Sequence, residues 1–270
     1  MSGSDNSNTP AIEVRDLVAG YDKRIILNHI SFTVPRGQIV TVLGGSGCGK
    51  STLLKHIIGL YRPKSGDILI QGRSMVHSGE EERRSIMQSF GVAYQGGALF
   101  RSLSLAENIA LPLQEYTSLS ASEIAGKVEE KLSLVNLGGC GSMMPSDLSG
   151  GMIKRAAFAR ALALDPAILF FDEPSAGLDP LSSASLDRLI LNIREQTGAT
   201  IMVVTHELDS IFTIADRAVM LSAETRSVIA DGPPAELRDH CDNSFVRTFL
   251  NRGKENRDPI QGADHYAGNQ

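Results

Sequence analysis

Gly44-Gly45-Ser46-Gly47-Cys48-Gly49-Lys50-Ser51 is a G-x-x-x-x-G-K-S run between the apolar stretch Ile39 to Leu43 and a segment with helical spacing of apolar residues. Residues of these types at this spacing cradle phosphate. The glycines let successive backbone N–H groups turn inward around phosphate oxygens, and the start of the following helix adds the positive end of its dipole. Lys50 then reaches the β- and γ-phosphates of a nucleotide such as ATP, while Ser51, with Thr52 beside it, brings a hydroxyl to Mg²⁺. Glycine makes up about 7% of an average chain, so a chance match is on the order of one in a hundred even before strand and helix context is required.

A phosphate cradle of this kind needs a metal-positioning carboxylate at the end of a neighbouring buried strand. Ile168-Leu169-Phe170-Phe171 runs straight into Asp172-Glu173. Asp172 is therefore the candidate for holding Mg²⁺ through water, and Glu173, one residue beyond the strand, the candidate general base on the attacking water. Paired carboxylates after a strand are often no more than a solvated turn; the upstream cradle is what gives this pair a role.

Short strands must position these groups. Ile12 to Leu17, Ile25 to Val34, Ile39 to Leu43 and Asp67 to Gln71 are separated by turn clusters at Gly20, Pro35-Arg36-Gly37 and Pro63-Lys64-Ser65-Gly66, which predicts an antiparallel opening. Lys50 to Leu60 carries Leu53, Leu54, Ile57 and Ile58 on one helical face, so a βα unit begins there. Ser120 with Glu123 forms a capping box ahead of Ile124, Val128, Leu132 and Val135, and residues from about 96 to 165 read as a helical subdomain. Ala167 to Phe171 and Thr200 to Val204, separated by a helical stretch from Ser182 to Gln196, restore a buried parallel sheet. The predicted fold class is α/β, with a parallel core sheet, an N-terminal antiparallel β-subdomain and an inserted α-helical subdomain. The expected organisation is a flexible lead over 1–10, one domain over 11–250 and a polar tail over 251–270.

Composition narrows the function further. The chain has 270 residues, 42% of them hydrophobic and 21% charged, enough to bury roughly three quarters of its unfolded surface, which excludes disorder as its main state. Lys and Arg number 26 against 31 Asp and Glu, a formal net charge of -5, so no global field favours nucleic acid and no nucleic-acid partner is expected. The three cysteines, Cys48, Cys140 and Cys241, lack CxxC spacing, which speaks against a disulfide framework or a zinc site and fits a reducing compartment. Cys48, inside the loop and near a helix N-terminus, is expected to have a lowered thiol pKa and to react readily. The longest apolar stretches fall far short of the ~20 residues that cross a membrane, and Met1 to Pro10 has no basic region followed by an apolar run.

Three further segments specify the kind of phosphate-loop protein. Leu148-Ser149-Gly150-Gly151-Met152 precedes a stretch rich in Ala and Arg, Gln95 follows the strand Gly91 to Tyr94, and His206 follows Thr200 to Thr205. With the loop, and in this order, they resemble the ATP-binding cassette family over roughly Ile12 to Leu237. The resemblance implies an ATPase in which Gln95 and His206 act beside Glu173, Gln95 also joins Ser51 and Asp172 around Mg²⁺, and Tyr21 stacks on adenine. Ser149, Gly150 and Gly151 would cap the γ-phosphate of ATP held by the opposite protomer, with Asp179 of Leu178-Asp179 in the adjoining loop. A signature loop on the helical insert lies far from its own phosphate loop, so two copies must face each other head to tail with ATP at two composite sites.

Subfamily features point to one branch. The signature ends in Met152 where most cassettes carry Gln, Met144-Pro145-Ser146-Asp147 precedes it, and Gly96-Gly97-Ala98-Leu99-Phe100 follows Gln95. Together with Asn108-Ile109-Ala110-Leu111-Pro112-Leu113 and Phe245-Val246-Arg247-Thr248-Phe249-Leu250, this is similar to the ATPases of bacterial lipid-transport systems built around MCE proteins, the Mla-type machinery that moves phospholipids between membranes. Gly45, where Pro is common, and Ser175-Ala176-Gly177-Leu178-Asp179, where the Mla variant has Gln before Asp, depart from it. The resemblance implies a peripheral subunit on the cytoplasmic face of the bacterial inner membrane. Its implied partners are an integral membrane permease, an MCE-domain lipid-binding protein and a small STAS-domain regulator. The ATPase of another importer or exporter, and a soluble scaffold ATPase like that of iron–sulfur cluster assembly, are the alternatives. Composition gives the tail no core of its own, and the resemblance suggests that it docks on a partner subunit with Tyr266 as an apolar anchor.

Overall fold

The computed structural model describes residues 9–252; the lead 1–8 and the segment 253–270, with Tyr266, lie outside the described residues. The N-terminal part runs β1 (Ile12–Tyr21), β2 (Arg24–Val34), β3 (Ile39–Leu43), α1 (Lys50–Ile57), β4 (Ser65–Ile70) and β5 (Arg73–Ser74). β2, β1, β4 and β5 lie side by side as an antiparallel sheet. β3 leaves that sheet because its five residues are all buried and need cover on both faces.

The middle of the chain supplies α2 (Glu80–Gln88), β6 (Phe90–Ala93), α3 (Leu105–Tyr116), α4 (Ala121–Leu134) and α5 (Gly150–Ala161). The helical subdomain expected over 96–165 is present as three helices rather than continuous helix: irregular chain at 96–104 leads into α3, and irregular chain at 117–120 and 135–149 joins the helices, the latter holding one 3-10 turn at Pro145–Asp147. Local chemistry sets these breaks. Ser104 and Glu107 form a capping box that starts α3, as Ser120 and Glu123 do for α4, and each reciprocal pair satisfies two N–H groups that a helix start leaves open.

The remainder comprises β7 (Ile168–Asp172), α6 (Pro180–Thr197), β8 (Thr200–Val204), α7 (Leu208–Ile214), β9 (Arg217–Leu221), β10 (Val228–Gly232), α8 (Pro234–His240) and α9 (Ser244–Leu250). Six strands in the order β10-β9-β3-β8-β7-β6 form the second sheet, parallel except where β10 meets β9. Side chains alternate across it. Leu169 and Phe171 of β7 face a core shared with α5 and α6, where Phe171 stacks on Phe158 at 4.0 Å. Ile168 and Phe170 face the opposite core, shared with α1 and the antiparallel sheet.

Candidate active site

β3, β8, β7 and β6 are neighbours, and their carboxyl ends lead into Gly44, His206, Asp172-Glu173 and Gln95 respectively. Ligands of open α/β sheets bind at this edge, where loops leave the strands and helices begin. At the centre the chain must pass Gly44 under Leu221, whose carbonyl oxygen, with Cys48 Sγ at 2.7 Å, fills the place a Cβ would take. Gly49, at φ 104°, is the N-cap of α1, and a Cβ there would lie 2.6 Å from Leu27 Cδ2. Gly45 has open space around it, so the departure from Pro at this position meets no obstruction.

Gly49 brings no side chain to cap α1, which leaves the first-turn N–H groups available to an outside acceptor. Lys50 Nζ donates to Gly44 O at 2.8 Å and Gly45 O at 3.3 Å, so its charge is held over the loop. Ser51 is exposed at the mouth, whereas Thr52 is buried. The Cys48 expectation is corrected: the side chain is 1% exposed, and burial pushes its thiol up more strongly than Lys50 pulls it down. It is a packed small residue rather than an activated nucleophile.

Asp172 Oδ1 is buried with no hydrogen-bond partner. Burial and the charge of Glu173 push its carboxyl above the usual range, and Lys55, Lys154 and Lys50 offset this only in part. Such an oxygen is suited to a cation. Among the described residues no group of three or more His, Cys, Asp and Glu could enclose a metal; the Ser51 hydroxyl, the Gln95 amide and the Asp172 carboxylate are oxygen donors of the kind Mg²⁺ takes, an ion that keeps waters and shares phosphate oxygens.

Glu173 sits in the left-handed region at φ 46°, a conformation costing on the order of 1 kcal/mol for a non-glycine residue. Its N–H donates to Val204 O at 2.8 Å, and its C=O accepts from Ala176 N at 3.2 Å and Lys154 Nζ at 3.3 Å. His206 Nδ1 lies 2.9 Å from both carboxylate oxygens but is aligned to hydrogen-bond Oε1, leaving buried Oε2 without a hydrogen bond. His206 itself is exposed. The pair therefore presents a held carboxylate with one free oxygen, the arrangement a general base requires.

Gln95 is exposed beyond β6, and its loop is gripped from α5: Lys154 donates to Gln95 O, and Arg160 donates to Gly97 O at 3.1 Å and Ala98 O at 2.8 Å. Lys154 and Arg160 were not among the residues singled out by sequence, where they read as ordinary charges in an Ala- and Arg-rich stretch. Asn108, fully buried, donates from Nδ2 to Phe100 O, Leu103 O and Ser104 O and accepts from Phe100 N at 2.8 Å, fixing the chain beyond the Gln95 loop. Beside it opens an apolar groove of about 940 Å³ in which Met87, Phe100, Leu111 and Tyr116 are exposed.

Ser149, Gly150 and Gly151 are not part of this cluster. Ser149 is the N-cap of α5, accepting from Met152 N at 3.3 Å. α5 packs in the core on the sheet face opposite to α1. A Cβ on Gly151 would meet nothing within 4 Å, so the chain itself gives no reason for glycine there. Asp179 caps α6, its Oδ1 accepting from Leu181 N at 3.1 Å and Ser182 N at 3.0 Å, and hydrogen bonding by Ser182, from its side chain first and then its backbone, holds the carboxyl below the usual range. Tyr21, at the end of β1, stands edge-on to Tyr61 at 5.2 Å.

Comparison with known proteins follows the same lines. The profile of the ABC transporter family matches residues 27–176. The chain is 43% identical over 241 residues to the "Probable ribonucleotide transport ATP-binding protein mkl" of Mycobacterium tuberculosis, covering 89% of this chain and 66% of that protein's length. It is 38% identical over 239 residues to the "Intermembrane phospholipid transport system ATP-binding protein MlaF" of Escherichia coli, covering 88% of each. Among solved structures, cbiO1 from Clostridium perfringens, part of the ABC transporter complex cbiONQ, matches with a TM-score of 0.79 and 28% identity over 86% of this chain and 92% of that one. The dimeric post-hydrolysis state of the ATP-binding cassette MJ0796, bound to ADP and Pi, matches with a TM-score of 0.74 and 27% identity over 82% and 98%.

Proposed function

The chain belongs to the ABC transporter family as an ATP-binding subunit, and from that premise we propose that it hydrolyses ATP in a head-to-tail dimer to drive phospholipid transport at the bacterial inner membrane. The observation that carries the reading is the meeting of the Gly44 to Ser51 loop, His206, Asp172, Glu173 and Gln95 on the ends of four neighbouring strands. The first-turn N–H groups of α1 bind phosphate oxygens, and Lys50 exchanges the carbonyls of Gly44 and Gly45 for the β- and γ-phosphates. Ser51, Gln95 and Asp172 would hold Mg²⁺, which when bound would supply neutralisation of the phosphate charge. Glu173 takes a proton from the attacking water on Oε2, while His206 orients the carboxylate through Oε1.

Two copies complete each site. α1 and α5 cover opposite faces of the parallel sheet, so the Ser149 hydroxyl and the N–H groups of Gly150 and Gly151 serve ATP on the other protomer. Closing on ATP and reopening after hydrolysis turns chemistry into motion. The apolar groove beside the Gln95 loop is the surface this reading gives to an integral membrane permease, since it exposes large apolar side chains next to a catalytic segment.

Phospholipid as cargo, with an MCE-domain protein and a STAS-domain regulator as further partners on the cytoplasmic face, is supported by the match to MlaF over 88% of each chain and by the segment Met144 to Met152. Ribonucleotide, in the printed name of mkl, is the competing cargo. Co-purification with its permease and reconstitution into liposomes decide between them. ATP-dependent transfer of a fluorescent phospholipid is expected; ATP-dependent ribonucleotide flux without lipid transfer would overturn the lipid reading, and purely soluble partners would point to an assembly scaffold.

A further inference from the structure

We propose that Lys154 is a positioning residue that ties Glu173 and the Gln95 loop to the signature helix α5, so that the three respond as one unit; the proposal rests on the ATPase reading above. Lys154 is 7% exposed, and a buried ammonium is costly unless its donors find strong acceptors. Its Nζ donates to two main-chain oxygens far apart in sequence, Gln95 O and Glu173 O. Burial pushes the amine down, while the nearby charges of Asp172 and Glu173 favour its charged form.

The two acceptors belong to the segments that carry the reacting side chains. Glu173 is held in its left-handed conformation by Val204 O, Ala176 N and Lys154 Nζ, and of these only Lys154 comes from the helical block. At the Gln95 loop, Arg160 takes the carbonyls of Gly97 and Ala98, and Ile153 Cγ2 would lie 2.7 Å from a Cβ on Gly97, so α5 and this loop are fitted together along residues 95–98. Among the described residues, Lys154 is the side chain whose hydrogen bonds join this fitted pair to the candidate base. A displacement of the helical block, such as docking in the neighbouring groove would impose, therefore reaches Glu173 through a charge-assisted hydrogen bond rather than through loose packing.

Lys154→Met keeps length and apolar stem but removes the donor. We expect kcat to fall about 10–100-fold, the rate equivalent of one hydrogen bond to a charged group, with KM and equilibrium nucleotide affinity within about twofold, because the phosphate cradle does not include this residue. Amide hydrogen exchange of the nucleotide-free chain should quicken at 95–98 and 173–176, and Lys154→Arg should recover part of kcat. Unchanged kcat and exchange in Lys154→Met, or an equal loss in Lys154→Arg with affinity falling in parallel, would overturn the proposal. If Lys154→Met does not fold, Lys154→Gln, which keeps a donor without the charge, takes the same readouts. Glu173→Gln run alongside separates the two claims. Wild-type turnover in Glu173→Gln removes Glu173 from the role of base, on which the proposal rests, whereas its loss together with intact turnover in Lys154→Met sinks only the positioning role.

Discussion

Glu173→Gln is expected to bind ATP as the wild type does, to lower turnover by about 10²–10⁴-fold, and to accumulate an ATP-bound dimer. The amide has the shape of the carboxylate but cannot take the water's proton. His206 Nδ1 still finds an oxygen acceptor, because one end of the amide is a carbonyl. The main-chain bonds that hold residue 173, from Val204, Ala176 and Lys154, do not involve the side chain, so the fold of this segment is expected to survive. Turnover measured against ATP concentration, with the mass of the particle in ATP, checks both halves. Wild-type turnover in the variant removes Glu173 from the role of base, and lost turnover with lost ATP binding shifts its role to binding.

Lys50→Ala should strike an earlier step. Nucleotide affinity is expected to fall about 10–100-fold, the worth of one charge-assisted hydrogen bond to phosphate, and turnover at moderate ATP with it. Lys50 Nζ also donates to the carbonyls of Gly44 and Gly45, so its removal loosens the loop as well. Equilibrium titration with ATP and ADP decides: equal affinity for wild type and variant would remove Lys50 from the cradle. A larger loss for ATP than for ADP places the ammonium nearer the γ-phosphate.

The parts of the site that announce themselves in sequence are those whose chemistry is written in side chains at fixed spacing. Gly44 to Ser51, Asp172-Glu173, Gln95 and His206 are legible in the sequence alone, and β3 and β8 have the limits that the continuous apolar runs predict. Lys154 and Arg160 were invisible because their partners are carbonyl oxygens, which every residue carries. Cys48 was misjudged because a helix start suggests a low thiol pKa, while its burial under Gly44 is a tertiary fact that outweighs it. α2 escaped notice since EEERRSIMQ buries only Ile86 and shows no apolar stripe. β9 and β10 are less legible for another reason: β9 takes its place by pairing with β3 on one side and β10 on the other, and β10 is mostly half-buried and lacks an apolar run. The irregular chain ahead of α3 ends at Ser104, which caps that helix with Glu107 as Ser120 caps α4 with Glu123.

The central claim is that one active site is built from two copies of this chain. ATPase rate per subunit, followed over protein concentrations from well below to well above the ATP-dependent monomer–dimer midpoint, tests it most directly, with mass measured in the same samples. The account predicts a monomer without nucleotide and a specific activity that climbs in proportion to concentration when dimers are scarce, then levels off as mass action fills them. A specific activity independent of concentration, in a chain that stays monomeric in ATP, would contradict it.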